Sequence, residues 1–117
     1  MRRVLKGLIA ASFLSFSLFS VHPGLAQSPW TDCAAKTSDL IIAGCTRILA
    51  GGSKTPVRER VLAYINRGIA YYDRGELDRA LADYTSAIRL DSKNAEALSN
   101  RADLKLRKGD IESAITD

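Results

Sequence analysis

The sequence is short of the residues that carry chemistry. Among its 117 residues there are one His, two Cys, one Met and one Trp, and Pro occurs three times. No Gly-rich phosphate loop is present, and no apolar run reaches the ~18 residues expected of a membrane-spanning helix. The single His, His22, lies near the N-terminus, and a chain without that segment has no imidazole for general base work or metal ligation. What is abundant is ordinary. Apolar residues make up 46% of the chain, too many for a disordered segment, and the length suits one domain.

The charge is unevenly placed. The formal net charge is +4, with 17 Lys and Arg against 13 Asp and Glu. Arg2, Arg3 and Lys6 precede an uncharged run of fifteen residues, Gly7 to Val21, and Gly24-Leu25-Ala26 follows with small residues at its two ends. These are the three parts of a secretory signal peptide, spanning residues 1–26 with cleavage before Gln27. An uncleaved N-terminal anchor is the alternative. Cleavage leaves 14 cations against 13 anions and removes His22, all three Phe and Met1. A nearly neutral mature chain has little electrostatic pull on nucleic acid. After cleavage nothing else associates with a membrane. The expected location is the periplasm or the medium.

Export decides how the cysteines read. Cys33 and Cys45 are the only two, and their spacing of twelve fits neither a C-x-x-C redox centre nor a zinc site. An oxidising compartment favours pairing them as a structural disulfide. Such a loop contributes roughly 3 kcal/mol, chiefly by restricting the unfolded chain.

A repeat organises the rest. Displacing the sequence by 34 residues sets Val61–Asp83 on Ala95–Asp117, with identities at Ala63/Ala97, Asn66/Asn100, Arg67/Arg101, Gly75/Gly109, Ala80/Ala114 and Asp83/Asp117. Arg74/Lys108, Glu76/Asp110, Leu77/Ile111, Asp78/Glu112 and Leu81/Ile115 keep their chemistry. Within the unit, Val61, Tyr64, Ile65, Gly68, Ile69 and Tyr72 recur at helical spacing, and Arg74-Gly75 stops that helix. Leu77, Ala80, Leu81, Tyr84, Ala87 and Ile88 form a second apolar stripe ending near Leu90. Asp91 to Asn94 breaks the pattern, and Ser92 or Asn94 is placed to cap the next helix.

Tyr64, Gly68, Tyr71, Ala80, Tyr84 and Ala87 stand at the spacing of the tetratricopeptide repeat signature, so residues 61–94 resemble one complete repeat of that family. Arg67 replaces the usual Leu, and Ser92 stands where Pro commonly closes the unit. Residues 95–117 resemble an incomplete second repeat, with Ala102 for the Gly and Lys105 for the Tyr. The resemblance implies an all-α fold of antiparallel helix-turn-helix hairpins. In it, Gly68 and Ala80 are small where two helices approach, with Tyr71 and Tyr84 beside the crossing. Upstream, Asp39–Thr46 aligns with Asp78–Thr85, making residues 38–50 the second helix of a degenerate leading unit stopped by Gly51-Gly52. Thr55 as N-cap with Pro56 as first helical residue then starts the next helix. Residues 27–56 thus form an N-terminal cap, stapled by the disulfide, in which the segment with Trp30 and Cys33 is tied onto the second helix.

Two further expectations follow from the register. Arg67 and Arg101 on first helices are expected to pair with Asp83 and Asp117 on the second helices of their own hairpins. In this family function means binding, without catalysis or a cofactor, of a peptide or partner helix on the concave face. By resemblance the groove positions are Leu62, Ile65, Asn66, Ile69 and Asp73, then Glu96, Ser99, Asn100, Asp103 and Arg107. Asn66 and Asn100 are similar to the asparagine of the carboxylate-clamp subclass. Ile65 and Ser99 stand where its basic residues belong, which favours a local helix-surface hydrogen bond instead. Asp73, Glu76, Asp78, Asp110 and Glu112 read as solvated helix-turn acids at helix N-termini rather than a hydrolytic pair. The sequence stops eleven residues short of a second full repeat. It therefore reads as the front of a longer protein whose activity lies downstream, or as a chain whose apolar Leu104, Leu106, Ile111 and Ile115 are covered by a partner or a second copy.

Overall fold

The computed structural model describes residues 28–109 and 115–117. The expected signal peptide at 1–26, the expected cleavage before Gln27, and Asp110, Ile111, Glu112 and Ala114 lie outside the described residues. Among the described residues five α-helices follow one another: α1 (Pro29–Cys33), α2 (Ser38–Leu49), α3 (Val57–Asp73), α4 (Leu77–Leu90) and α5 (Ala95–Arg107). A 3₁₀ turn at Gly52–Lys54 joins α2 to α3, and the described residues contain no strand. Each helix packs on its neighbour in sequence, and α3 also touches α5 and α1. The fold is all-α, as expected, and its hairpins stack in chain order.

Local signals set the helix ends. Arg74 closes α3, and Gly75 follows at φ +75°, a left-handed conformation that residues with a Cβ avoid. That turn lets Gly75 N–H donate to the Tyr72 carbonyl and Glu76 N–H to the Tyr71 carbonyl, both at 2.9 Å. The Asn94 side chain caps α5 by accepting from Ala97 N–H at 3.0 Å. The start of α3 differs from expectation. Pro56 precedes the first helical residue, Val57, and Thr55 does not cap it. Thr55 Oγ1 instead donates to the Ile48 carbonyl at 3.0 Å, satisfying an acceptor at the end of α2.

The core is a row of small clusters rather than one mass. Cys33, Cys45, Ile48 and Ala63 join α1, α2 and α3, with Trp30, Ile41 and Leu49 packed around them. Val61, Ile65, Ala87 and Ala97 join α3, α4 and α5. Ala80, Tyr84 and Leu104 form the third cluster, beside Ile69, Tyr71, Tyr72 and Leu81. Leu104 is therefore fully buried, contrary to the expectation that it stays exposed, because the Tyr84 ring from the preceding hairpin reaches it. Leu106 and Ile115 do remain exposed, at 52% and 79%.

Gly68 has a steric reason. A Cβ there would lie 2.6 Å from Tyr84 Cε1 and 2.8 Å from Cδ1, so the absent side chain is the space the ring occupies. Gly44 does the same for the leading unit, since a Cβ would fall on the backbone of Asp32 and Cys33. With only five residues, α1 cannot persist alone. It is held by the Cys33–Cys45 disulfide, whose Cα atoms are 4.6 Å apart, and by an Asp32–Arg47 ion pair.

Charges follow the register in two ways. Within a hairpin, Arg67 grips Asp83 through two hydrogen bonds of 2.8 and 2.7 Å, and Arg101 grips Asp117 at 2.7 and 2.5 Å. Both expected pairs are thus present. Between units, Arg74 pairs with Asp39 at 2.7 Å and Lys108 with Asp78 at 2.5 Å. Asp39 and Asp78 are the aspartates that align at the start of the two second helices. The same contact recurs one unit later, so α2 stands towards α3 as α4 stands towards α5.

Candidate functional site

Two clefts run along α3 and share Ile69. The first, about 190 Å³, is lined by Cys33, Ala34, Ala35, Ile41, Asn66 and Ile69. The second, about 250 Å³, is lined by Ile69, Tyr72, Asp73, Tyr84, Asn100 and Asp103. Their walls come from the end of α1 and the residues after it, the second half of α3 and the middle of α5, with Ile41 of α2 and Tyr84 of α4. Five of the residues expected to line a groove, Asn66, Ile69, Asp73, Asn100 and Asp103, fall here together. The helical period explains it: 66, 69 and 73, then 100 and 103, share one face of their helices.

The other expected positions go elsewhere. Ile65 is 1% exposed and belongs to the core with Val61, Ala87 and Ala97, so it offers no surface to a ligand. Leu62 lines a separate cleft of about 530 Å³ at the start of α3, with Val57, Arg58, Val61, Leu90, Asp91 and Asn94. Glu96 and Ser99 are exposed on α5 and line none of these clefts. Arg107 stacks its guanidinium 4.6 Å above the Tyr72 ring and donates to the Tyr72 carbonyl at 3.5 Å.

Tyr72 was not anticipated as a groove residue. Its apolar spacing on α3 reads as core, yet its hydroxyl donates to Asp103 at 2.7 Å across the cleft. Ala34 and Ala35 were also unanticipated, because their place depends on where the disulfide sets α1. Tyr84 forms the floor, and burial, reinforced by Asp73, Tyr72 and Asp103, pushes its phenol above the ordinary tyrosine range.

The paired asparagines have unequal surroundings. Asn66 Nδ2 donates to the Cys33 carbonyl at 3.3 Å, a bond across 33 residues rather than the local helix-surface bond expected. Asn100 Nδ2 is buried and finds no partner among the described residues. Asp73 is the last residue of α3, where the negative end of the helix dipole disfavours a carboxylate. The expectation of a helix N-terminus for Asp73 is corrected accordingly. Its carboxylate makes no hydrogen bond or ion pair with the described residues.

Behind the groove, Arg67 ties the two helices together. Its side chain is 18% exposed, that of Asp83 6%, and it also donates to Thr46 Oγ1 at 3.0 Å. The hydrogen bonds to Asp83 raise the guanidinium pKa above its ordinary value. Arg101, aided by Lys105, lowers the Asp117 carboxyl below its ordinary range.

Residues 68–109, from the middle of α3 through α4 and α5, match a family model described as TPR repeat. That stretch carries a tetratricopeptide repeat. Such repeats generally mediate protein–protein interaction, typically as non-catalytic modules. The match begins at Gly68 and ends at Gly109, so it takes in the tetratricopeptide packing residues Gly68, Tyr71, Ala80, Tyr84 and Ala87. No curated protein and no solved structure matches the chain. No helix among the described residues is long and apolar enough to cross a membrane.

Proposed function

We propose that this chain is an exported, non-enzymatic interaction module that holds an extended peptide or a partner helix along α3 and α5. The reading is carried by one observation: two clefts joined at Ile69 gather side chains from α1, α3 and α5 on one face. Residues 27–56 act as the cap, 61–94 as one full repeat and 95–117 as part of a second. Asn66, Ile69, Asp73, Asn100 and Asp103 are the contact residues of this reading. The leader at 1–26 directs the chain to the periplasm or the medium, where the Cys33–Cys45 pair is stable.

Comparative capture from periplasmic extract tests the proposal. Ile69→Arg places a charge in the shared wall, while Ala82→Arg places the same charge on an exposed position of α4 that lines neither of these clefts. Partners retained by wild type and Ala82→Arg but lost by Ile69→Arg support the groove. Equal retention by all three refutes it.

A second reading, that the chain leads into a larger exported protein, is favoured by the exposed Leu106 and Ile115. Reading the coding sequence beyond codon 117 tests it. A resumed frame encoding Tyr-x-x-Ala-Ile supports this reading, and a stop codon rejects it.

A further inference from the structure

The cleft between α3 and α5 carries two exposed carboxylates that no cation among the described residues neutralises. Asp73 and Asp103 both line it. Asp103 accepts one hydrogen bond, from the neutral Tyr72 hydroxyl. Asp73 accepts none from the described residues and sits at the unfavourable end of α3. The cations nearby in sequence are committed elsewhere. Arg74 pairs with Asp39 and Glu76, and Lys108 with Asp78. Arg107 is turned onto the Tyr72 ring and forms no ion pair with either carboxylate among the described residues.

A second, independent vacancy lies in the same wall. Asn100 Nδ2 is sequestered with no acceptor among the described residues. An unpaired buried amide donor costs roughly 1–3 kcal/mol, so such groups rarely stay unpaired. Asn66, its equivalent one unit earlier, shows what this amide takes: a main-chain carbonyl, that of Cys33. Asn100 lines the cleft, and the terminal torsion of an asparagine is soft, so its amide is free to reorient. The leading unit thus fills with its own backbone a position that the next unit leaves open.

We propose that the α3–α5 cleft takes a Lys or Arg side chain of an extended partner segment, its cation between Asp73 and Asp103 and a carbonyl of that segment on Asn100. The size agrees. At about 250 Å³ the cleft is smaller than the roughly 300–1,000 Å³ of pockets for whole small ligands, and suits one long side chain. The Tyr72 ring already carries one guanidinium on its face, and Tyr84 supplies an apolar floor for the aliphatic stem. This inference rests on the groove reading and adds the chemistry of the occupant.

The test titrates the ¹⁵N-labelled, oxidised full chain with two short peptides of Gly and Ala. One carries a single Arg; the other carries citrulline, its neutral counterpart, at the same place. The Arg peptide is expected to shift the amide signals of Asp73, Asn100 and Asp103 and the side-chain NH₂ of Asn100, and to bind roughly tenfold more tightly than the citrulline peptide. Asp73→Asn should abolish that difference without loss of stability, since it removes an unpaired charge from a helix C-terminus. Asn100→Ala should weaken both peptides by a similar factor. If both peptides shift Asn66, Ile69 and Asn100 equally, the groove reading stands and the cationic occupant is refuted. Absence of shifts at Asp73 and Asn100 with either peptide, or an unchanged preference in Asp73→Asn, overturns the proposal outright.

Discussion

Arg67 is the residue whose loss should be felt most. It makes two hydrogen bonds to Asp83, one to Thr46, and lies 5.8 and 5.9 Å from the ring centres of Tyr64 and Tyr71. Replacement by Met keeps an aliphatic stem against the rings but leaves the carboxylate of Asp83, 6% exposed, without its cation. Breaking a buried pair from one side costs about 3–5 kcal/mol, whereas replacing both partners by apolar groups is often neutral. Arg67→Met should therefore lose about 3 kcal/mol, and the double variant Arg67→Met/Asp83→Leu should recover most of it. With urea slopes of about 1–3 kcal/mol/M, the single variant shifts the unfolding midpoint by about 1 M or more. A single-variant loss below about 1 kcal/mol would falsify the buried-pair reasoning. So would a double variant as unstable as the sum of its singles, since coupling is what the cycle measures.

The remaining predictions concern packing, covalent constraint and pH. Gly68→Ala must displace the buried Tyr84 ring and should cost about 1–3 kcal/mol in thermal unfolding; an unchanged Tm would show that the ring has room to move. Reducing the Cys33–Cys45 disulfide should cost roughly 3 kcal/mol and free α1 first, seen as earlier amide exchange at Trp30–Cys33 than in α4; uniform loss of protection contradicts this order. The lowered carboxyl of Asp117 adds stability above its unfolded value near 3.8, and that stability is lost as pH falls through the lower folded value. The stability gap between wild type and Asp117→Asn should accordingly be flat at neutral pH and close below about pH 3.8. A gap that widens in acid reverses the sign and rejects the assignment.

The 34-residue register made the architecture legible before any coordinates. It placed Arg67 opposite Asp83 and Arg101 opposite Asp117 because both members of each pair recur at fixed offsets within one hairpin, where helical geometry alone decides contact. The cysteines were legible for a different reason, since only one pairing exists. Cleft-lining residues were legible on one helix face: 66, 69 and 73 follow the period. Ile65 did not follow, because a single helical step from Asn66 rotates a side chain by about 100° and buries it under Ala87 and Ala97. The Asn66–Cys33 bond and the Ala34–Ala35 wall were hidden, since they depend on the path of a five-residue helix fixed by a disulfide. Leu104 was misread because the stripe on α5 was taken to face an absent neighbour, while Tyr84 of the preceding hairpin reaches it. Tyr72 hid its role behind apolar spacing, as an aromatic with a polar tip can.

The central claim is that partners are held along α3 and α5 at the clefts joined by Ile69. A photoreactive residue at position 69, with another at position 82 on α4 as comparison, tests it most directly in chains exported and oxidised in the cell. The account predicts that position 69 cross-links to a discrete protein and that position 82 does not. Cross-linking from position 82 alone, or from both positions to the same protein, would contradict it.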